Sequence, residues 1–408
     1  MSTATDLERC PAPPREVEVT PPAEPRPRLD SIDLMRGIVM VLMVLDHTKG
    51  TFWTAPFDPL DADATNLPTY LTRWFTHFCA PAFCFLMGTG AYLSGRRRTR
   101  SELSRFLLTR GLWLIFLEFT IVKFGLQFNF SLDMSIALVF WSLGWSLVFV
   151  SALVVFPARV VGALGVVMIL THNLLDGIKP EVFGPFRPLW LILHQPGVIS
   201  LTAHSNLLVA YPLIPWLGVA AAGYGFGEIV TMEPNRRRRV MVTLGLALTA
   251  AFFLLRAVDV YGDPLKWSPR ASALRTCFSF FNCQKYPPSL LFLLMTLGPT
   301  ILLLPVLERP VIPAPIARFL ITLGRVPFLF FVAQWYVIKI LAIVVAVARG
   351  YAPDYLYVPG VPAPPGVKFD LPMVYVWFAV VLAILYFPCR WFAGVKARHK
   401  DVWWLSYL

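Results

Sequence analysis

Apolar residues run through this chain in long blocks separated by short polar links. A helix that spans a bilayer needs about 20 apolar residues in succession. The pattern predicts ten such helices, at 31–53, 68–94, 104–126, 132–156, 159–177, 204–229, 240–259, 288–307, 317–348 and 371–394. The stretch around Pro188–Leu193 is too short to span and reads as an interfacial or re-entrant piece. No internal repeat is visible. Residues 1–30 break the pattern: they are rich in Pro, Glu and Arg and lack apolar periodicity, so they read as a disordered cytoplasmic tail. They do not read as a signal peptide, because no apolar core with a cleavage site follows a basic start. The fold expected is an all-α, polytopic membrane bundle of about ten transmembrane helices, with 31–408 as a single domain.

Composition strengthens this reading. The 408 residues are 57% hydrophobic and only 15% charged, against about 25% charged in a soluble domain. Such a chain cannot coat itself with polar surface, which excludes a water-soluble globule. The 13 Trp, 13 Tyr and 32 Phe suit aromatic belts at membrane interfaces. A net charge of +12 raises the question of nucleic acid. Here, however, the arginines gather in the links between apolar blocks, so the expected partner is the lipid bilayer and not nucleic acid.

The links alternate in charge. Arg9, Arg15, Arg26 and Arg28 lie in the tail, and Trp53–Pro68 has no Lys or Arg but holds Asp58, Asp61 and Asp63. Arg96, Arg97, Arg98 and Arg100 follow, then the uncharged Gln127–Ser131, then Arg236–Arg239. Arg390, Lys396, Arg398 and Lys400 close the chain. Positively charged links stay in the cytoplasm, so both termini are expected there, in a bacterial inner (cytoplasmic) membrane protein. The mixed loop at 260–287, with Lys266, Arg270, Arg275 and Lys285, is the exception. Cys79, Cys84 and Cys389 sit in apolar runs, while Cys277 and Cys283 share one loop and can pair if it is exported. No zinc-type cysteine spacing is present, and no metal is expected.

Ionisable groups inside a bilayer are costly and usually face a bundle interior or an aqueous cavity. The first predicted helix carries Asp46 and His47, and the second carries Arg73 and His77 at matching depth. His172, Asn173 and Asp176 end the fifth, His194 follows it, and His204 opens the sixth. Five of the six histidines thus fall in the same half of the membrane, and only His399 lies at the other side. This distribution points to a shared polar cavity; the alternative is a set of separate packing residues. Neutral imidazole accepts protons near physiological pH and attacks thioesters. His47, Asp46 and His77 form the candidate catalytic set. Asp46 projects about 100° from His47 around the helix, so Asp176 or Glu118 from another helix is an equal candidate to orient the imidazole. Glu118, Lys123, Arg325, Gln334 and Lys339 read as paired or snorkelling groups. Asp33 and Arg36 read as the cap and anchor of the first helix. Arg96–Arg98 and Arg100 are first a topology signal, and together with Arg36 they are candidates for holding the phosphates of a cytosolic coenzyme.

Several stretches carry a resemblance. Arg28-Leu-Asp-Ser-Ile-Asp-Leu-Met-Arg-Gly37, running on to Leu45-Asp-His-Thr48, resembles the bacterial branch of the heparan-α-glucosaminide N-acetyltransferase catalytic-domain family. Thr76–Pro81 with Gly88, Tyr211–Gly218, Lys285–Phe292 and the terminal Trp404–Leu408 are similar to the same branch, so the likeness extends from about residue 28 to the end. The resemblance implies a polytopic acyltransferase that takes acetyl from cytosolic acetyl-CoA, its co-substrate, and delivers it to an amino sugar or glycan across the membrane. It places His47 in the branch's Asp-His pair. The chain departs from the eukaryotic branch at Phe57-Asp58-Pro59, where no histidine stands, and from relatives that read Leu-His-Trp and Ile-His at Ala333-Gln334-Trp335 and Ile338-Lys339. Required proton transfer is therefore not expected at those last two sites. Two other function classes compete: a transporter of a small polar solute, which favours inverted repeats and broken helices, and a non-catalytic scaffold whose polar groups pair off without a shared cavity.

Overall fold

The structure, a computed structural model, describes residues 30–53, 57–399, 402 and 405. The expected tail up to Leu29 and all of the terminal motif except Leu405 lie outside the described residues. The chain is mostly helical. α1 is Asp30–Phe52, with Asp30 and Asp33 in its first turn, where the helix dipole favours negative charge. α2 (Leu67–Thr76) and α3 (Cys79–Gly95) replace the single helix expected over 68–94. Pro81 lacks the amide that would bond the His77 carbonyl, and its ring crowds that carbonyl, so the helix is interrupted at His77–Phe78.

α4 (Arg100–Leu117) starts on a Thr99–Glu102 capping box and runs through a π turn, Glu118–Val122, into α5 (Lys123–Gln127). β1 (Met134–Ala137) and α6 (Val139–Leu153) follow. The first amides of a helix have no partner within it, and here Glu118 accepts one of them, from Trp141, at 2.9 Å. α7 (Ala158–Thr171) ends in a 3₁₀ turn, His172–Leu175. The short α8 (Arg187–Leu193) does not span, as expected. β2 (Gly197–Thr202), β3 (Ser205–Val209), α9 (Leu213–Val230), α10 (Pro234–Val258), α11 (Ala273–Phe281), α12 (Leu290–Leu307), α13 (Ala314–Arg325), α14 (Pro327–Ala348) and α15 (Leu371–Arg398) complete the order.

Among the described residues, seven helical segments are long and apolar enough to cross a membrane: Leu67–Gly95, Ala158–Leu175, α9, α10, α12, α14 and α15. α1 carries Asp30, Asp33, Arg36, Asp46 and Lys49, and α6 has only 15 residues. Two expectations are corrected. The apolar runs at 132–156 and 204–229 are not helical throughout. Their beginnings form β1 and β3, which with β2 make a three-stranded sheet of order β1-β3-β2, with β1 parallel and β2 antiparallel to β3. A short apolar run has no periodicity that separates strand from buried helix. The helix expected at 317–348 breaks between α13 and α14, because Pro327 pushes Val326 out of helical backbone, to φ −130 and ψ 47.

α1 sits among α2, α3, α12, α13, α14 and α15. Its contact with α13 is backbone to backbone. A Cβ on Gly37 would meet the Leu320 carbonyl oxygen at 2.1 Å, and one on Gly324 would meet that of Asp33 at 1.9 Å. Small residues permit such approaches between membrane helices, and this one sets how α1 lies in the bundle.

One end of the bundle is rich in arginine. Arg325 lies 3.6 Å from both Asp30 and Asp33, and Arg237 and Arg238 share Glu308 at 2.8 and 2.7 Å. At the opposite end the mixed loop folds over the α1–α2 link. Arg270 pairs with Asp63 at 2.8 Å, and Tyr70 donates to the Phe278 carbonyl at 3.0 Å. Buried Arg256 donates to the carbonyls of Leu265, Ser279, Phe280 and Asn282 and pairs with Asp259. Part of the loop's positive charge is thus compensated locally. Cys277 is an exposed free thiol and Cys283 a buried one.

Candidate functional site

The C-terminal halves of α1 and α2 bring Asp46 and Arg73 together. Arg73 Nη1 donates to both oxygens of the carboxylate, at 2.7 and 3.0 Å, and the Thr76 hydroxyl donates to Oδ1 at 3.0 Å. A charge-assisted Arg–carboxylate hydrogen bond is about twice as strong as a neutral one, so it ties α2 to α1. His47, one position on, faces α14. Its ring stacks on Trp335 with centroids 4.1 Å apart and an interplanar angle of 26°, and it meets Phe331 edge-on at 6.4 Å. His47 Nδ1 is buried with no hydrogen-bond partner among the described residues. The fully buried Gln334 amide of α14 is the polar side chain beside the His47 ring.

His77 lies at the break between α2 and α3. It is completely buried, its ring stands against Phe292 of α12 at 5.4 Å, and neither ring nitrogen has a partner among the described residues. Charges from Asp46, Arg73 and Lys285 act on both His47 and His77. Lys285 belongs to the turn before α12, and its ammonium stands 5.2 Å from the Tyr286 ring. Tyr286 in turn meets Tyr211 edge-on at 5.4 Å. Lys49, one turn beyond Asp46, is buried with its ammonium 5.2 Å over Trp53 and has no hydrogen-bond partner among the described residues. The result is a polar cluster of imidazoles, cations and phenols around one carboxylate. Unpartnered buried nitrogens are costly, and donors and acceptors left open in this number are what a polar ligand can satisfy.

The sequence-predicted residues distribute as follows. Asp46, His47, Arg73 and His77 come into one region. None of the three carboxylates considered for His47 orients it: Asp46 is taken by Arg73 and Thr76, Asp176 by His194 and Asn173, and Glu118 by the Trp141 amide. Glu118 and Lys123 do not pair either, since Lys123 donates to Ser135 at 3.1 Å. The single cavity of five histidines is also corrected. His172 and His194 form a second cluster, and His204 sits exposed in the β2–β3 turn, where two closely paired strands leave no room for a helix start. Sequence reasoning missed Lys49, Lys285, Tyr211, Tyr286, Gln334 and Trp335 as neighbours of the site. The signal was available, because all but Lys49 fall in stretches compared with the family.

The coenzyme candidates lie at the arginine-rich end. Arg36 donates to the Leu86 carbonyl at 3.2 Å and lies 3.7 Å from Asp33, which ties α1 to α3. Arg96, Arg97, Arg98 and Arg100 are exposed in the α3–α4 link. Arg98 donates to the Ser94 carbonyl and covers the Phe106 ring at 4.2 Å, and Arg100 donates to the Val155 carbonyl at 3.1 Å.

The family model for heparan-alpha-glucosaminide N-acetyltransferase, catalytic, matches residues 28–257. No protein of curated function matches the chain. The matched region starts at the motif of α1 and includes Asp46, His47, Arg73, His77 and the whole α3–α4 link, whereas Lys285, Gln334 and Trp335 lie beyond it. With more than half of its length matched, several apolar helices and a buried polar cluster within the match, this chain is a membrane protein that belongs to the heparan-α-glucosaminide N-acetyltransferase catalytic-domain family.

Proposed function

We propose that this protein transfers acetyl from cytosolic acetyl-CoA to an amino sugar, free or within a glycan, on the far side of a bacterial inner membrane. The observation that carries the reading is the group of open imidazole nitrogens around the Asp46–Arg73 pair, inside the region matched by an acetyltransferase family. The orientation that goes with it has both termini and the arginine-rich end in the cytoplasm, with α1, the α4–α5 segment and α6 completing ten crossings.

In this reading the coenzyme's phosphates meet Arg36, Arg96, Arg97, Arg98 and Arg100, where guanidinium forks match phosphate oxygens. His47 lies about 16 Å further along α1 at a rise of about 1.5 Å per residue, so the acetyl end of the donor reaches inward from that anchor. The acceptor amine attacks the acetyl carbonyl carbon, the carbon–sulfur bond breaks, and coenzyme A leaves as its thiol. His47 takes the proton that the amine loses, and that proton is delivered to the departing sulfur. Lys285, Lys49 and Arg73 supply positive charge where the carbonyl oxygen becomes negative. His77 binds the acceptor or relays the proton. Asp46 acts by holding Arg73 in place and not by contact with His47.

The test is thiol release from acetyl-CoA by the purified full-length protein, with and without glucosamine-type acceptors. Release that depends on acceptor is expected, and no release with any amino sugar contradicts the proposal. Replacing Arg96, Arg97, Arg98 and Arg100 together by Gln is expected to raise KM for acetyl-CoA at least about tenfold, since each lost charge-assisted bond is worth about 1.5–3 kcal/mol. An unchanged KM in correctly inserted protein would remove the link from the donor site.

A further inference from the structure

Away from the Asp46 cluster, the end of α7 and the residues after α8 assemble a second polar group that the transfer reaction does not use. His172, Asp176 and His194 each present one ligand-type atom, and the three atoms lie within 4.8 Å of one another. His172 is 1% exposed and His194 is fully buried. Neither ring nitrogen of His172 has a hydrogen-bond partner among the described residues, and neither does Nδ1 of His194. Three imidazole nitrogens are therefore buried without partners beside a carboxylate. A merely structural histidine usually has at least one nitrogen satisfied. His194 Nε2 lies 3.0 Å from Asp176 Oδ1, and the two rings are 6.0 Å apart at 62°.

The surroundings hold this carboxylate in place. Asn173 Nδ2 donates to Asp176 Oδ2 at 2.8 Å, while Asn173 Oδ1 accepts from the Leu290 amide at 2.8 Å. Both ends of the Asn173 amide are thus committed, one to the cluster and one to the first turn of α12. Outer partners that orient a ligand carboxylate are characteristic of metal sites.

From this geometry we infer that His172, Asp176 and His194 bind a divalent transition-metal ion such as Zn²⁺, with water in the remaining position. Two imidazoles and one carboxylate suit zinc, at about 2.0–2.2 Å per bond. Ligand atoms in such a tetrahedron lie about 3.4 Å apart, so the present separations need only side-chain adjustment. On binding, each imidazole offers the lone pair of one nitrogen while its ring proton sits on the other, so a proton held between His194 Nε2 and Asp176 Oδ1 moves to Nδ1 and the ring stays neutral. The bound ion would tie the chain after α7 and the chain after α8 to each other and, through Asn173, to the start of α12. α12 carries Phe292 against His77, and the turn before it carries Lys285. The site is distinct from the proposed transfer chemistry and does not depend on it.

The experiment uses the full-length protein in detergent, stripped with chelator, dialysed against Zn²⁺ and analysed for bound metal. Wild type is expected to retain about one zinc per chain, to rise in Tm as zinc is added, and to show the visible bands of tetrahedral Co²⁺ when cobalt replaces zinc. His172→Gln/His194→Gln should lose the retained zinc and the zinc-dependent rise in Tm. Asn173→Ala, which keeps all three ligands, should weaken zinc about 10–100-fold. Should the double variant fail to fold, Asn173→Ala and the cobalt spectrum of wild type still decide the matter. Wild type that retains no zinc, or a double variant that retains as much, overturns the inference.

Discussion

His47→Gln is expected to lower acyl transfer about 10²–10⁴-fold, the usual contribution of a positioned general base, while leaving the protein folded. Glutamine keeps a planar polar group against Trp335 but cannot accept a proton at neutral pH. The loss is expected to be this large because the nearest alternatives are poorly placed. Gln334 stands beside the His47 ring on α14, and an amide is no base. His77 is buried at the α2–α3 break with Phe292 beside its ring, which suits a supporting contact or relay and not the first uptake of the proton. His77→Gln should therefore cost less in kcat than His47→Gln. Measuring kcat and KM for both variants in folded protein checks this. A His77→Gln loss that exceeds the His47→Gln loss would reverse the two roles.

Arg73→Met should produce the largest loss of stability among the variants considered, about 3 kcal/mol or more, the cost of stranding one member of a partly desolvated ion pair. Asp46 would keep only the Thr76 hydroxyl as a partner from α2. The damage comes mainly from the uncompensated carboxylate, so adding Asp46→Asn should restore much of the loss. Thermal unfolding of the two single variants and the double variant forms a cycle that isolates the pair. If the double variant is as unstable as the sum of the singles, the two groups do not interact as the structure shows them.

The sequence made helices legible wherever apolar blocks were long, because a segment of that length and composition can satisfy its backbone in lipid only as a helix or in a closed barrel. The break before Pro327 went unread inside the apolar run 317–348, although proline in a helix interior removes a bond and crowds a carbonyl. The small sheet was not legible: Met134–Ala137 and Ser205–Val209 are too short to show a period. Depth along a helix follows from residue number, which is why Asp46, His47, Arg73 and His77 were placed at one level. Azimuth and helix neighbours do not follow from number. The Arg73–Asp46 pair, the Trp335 stack on His47 and the approach of Lys285 therefore emerged only from the fold. The cluster of His172, Asp176 and His194 escaped for the same reason. No metal was expected from cysteine spacing, while these ligands are drawn together by a turn and a short helix.

Acyl transfer across the membrane through His47 is the activity proposed for this protein. Its most direct test is sealed inside-out vesicles given acetyl-CoA labelled in the acetyl group, with an amino-sugar acceptor trapped in the lumen. Wild type is expected to give labelled N-acetyl sugar in the lumen, and correctly inserted His47→Gln a yield lower by about 10²–10⁴-fold. Equal luminal label from the two proteins, or none from wild type, would contradict it.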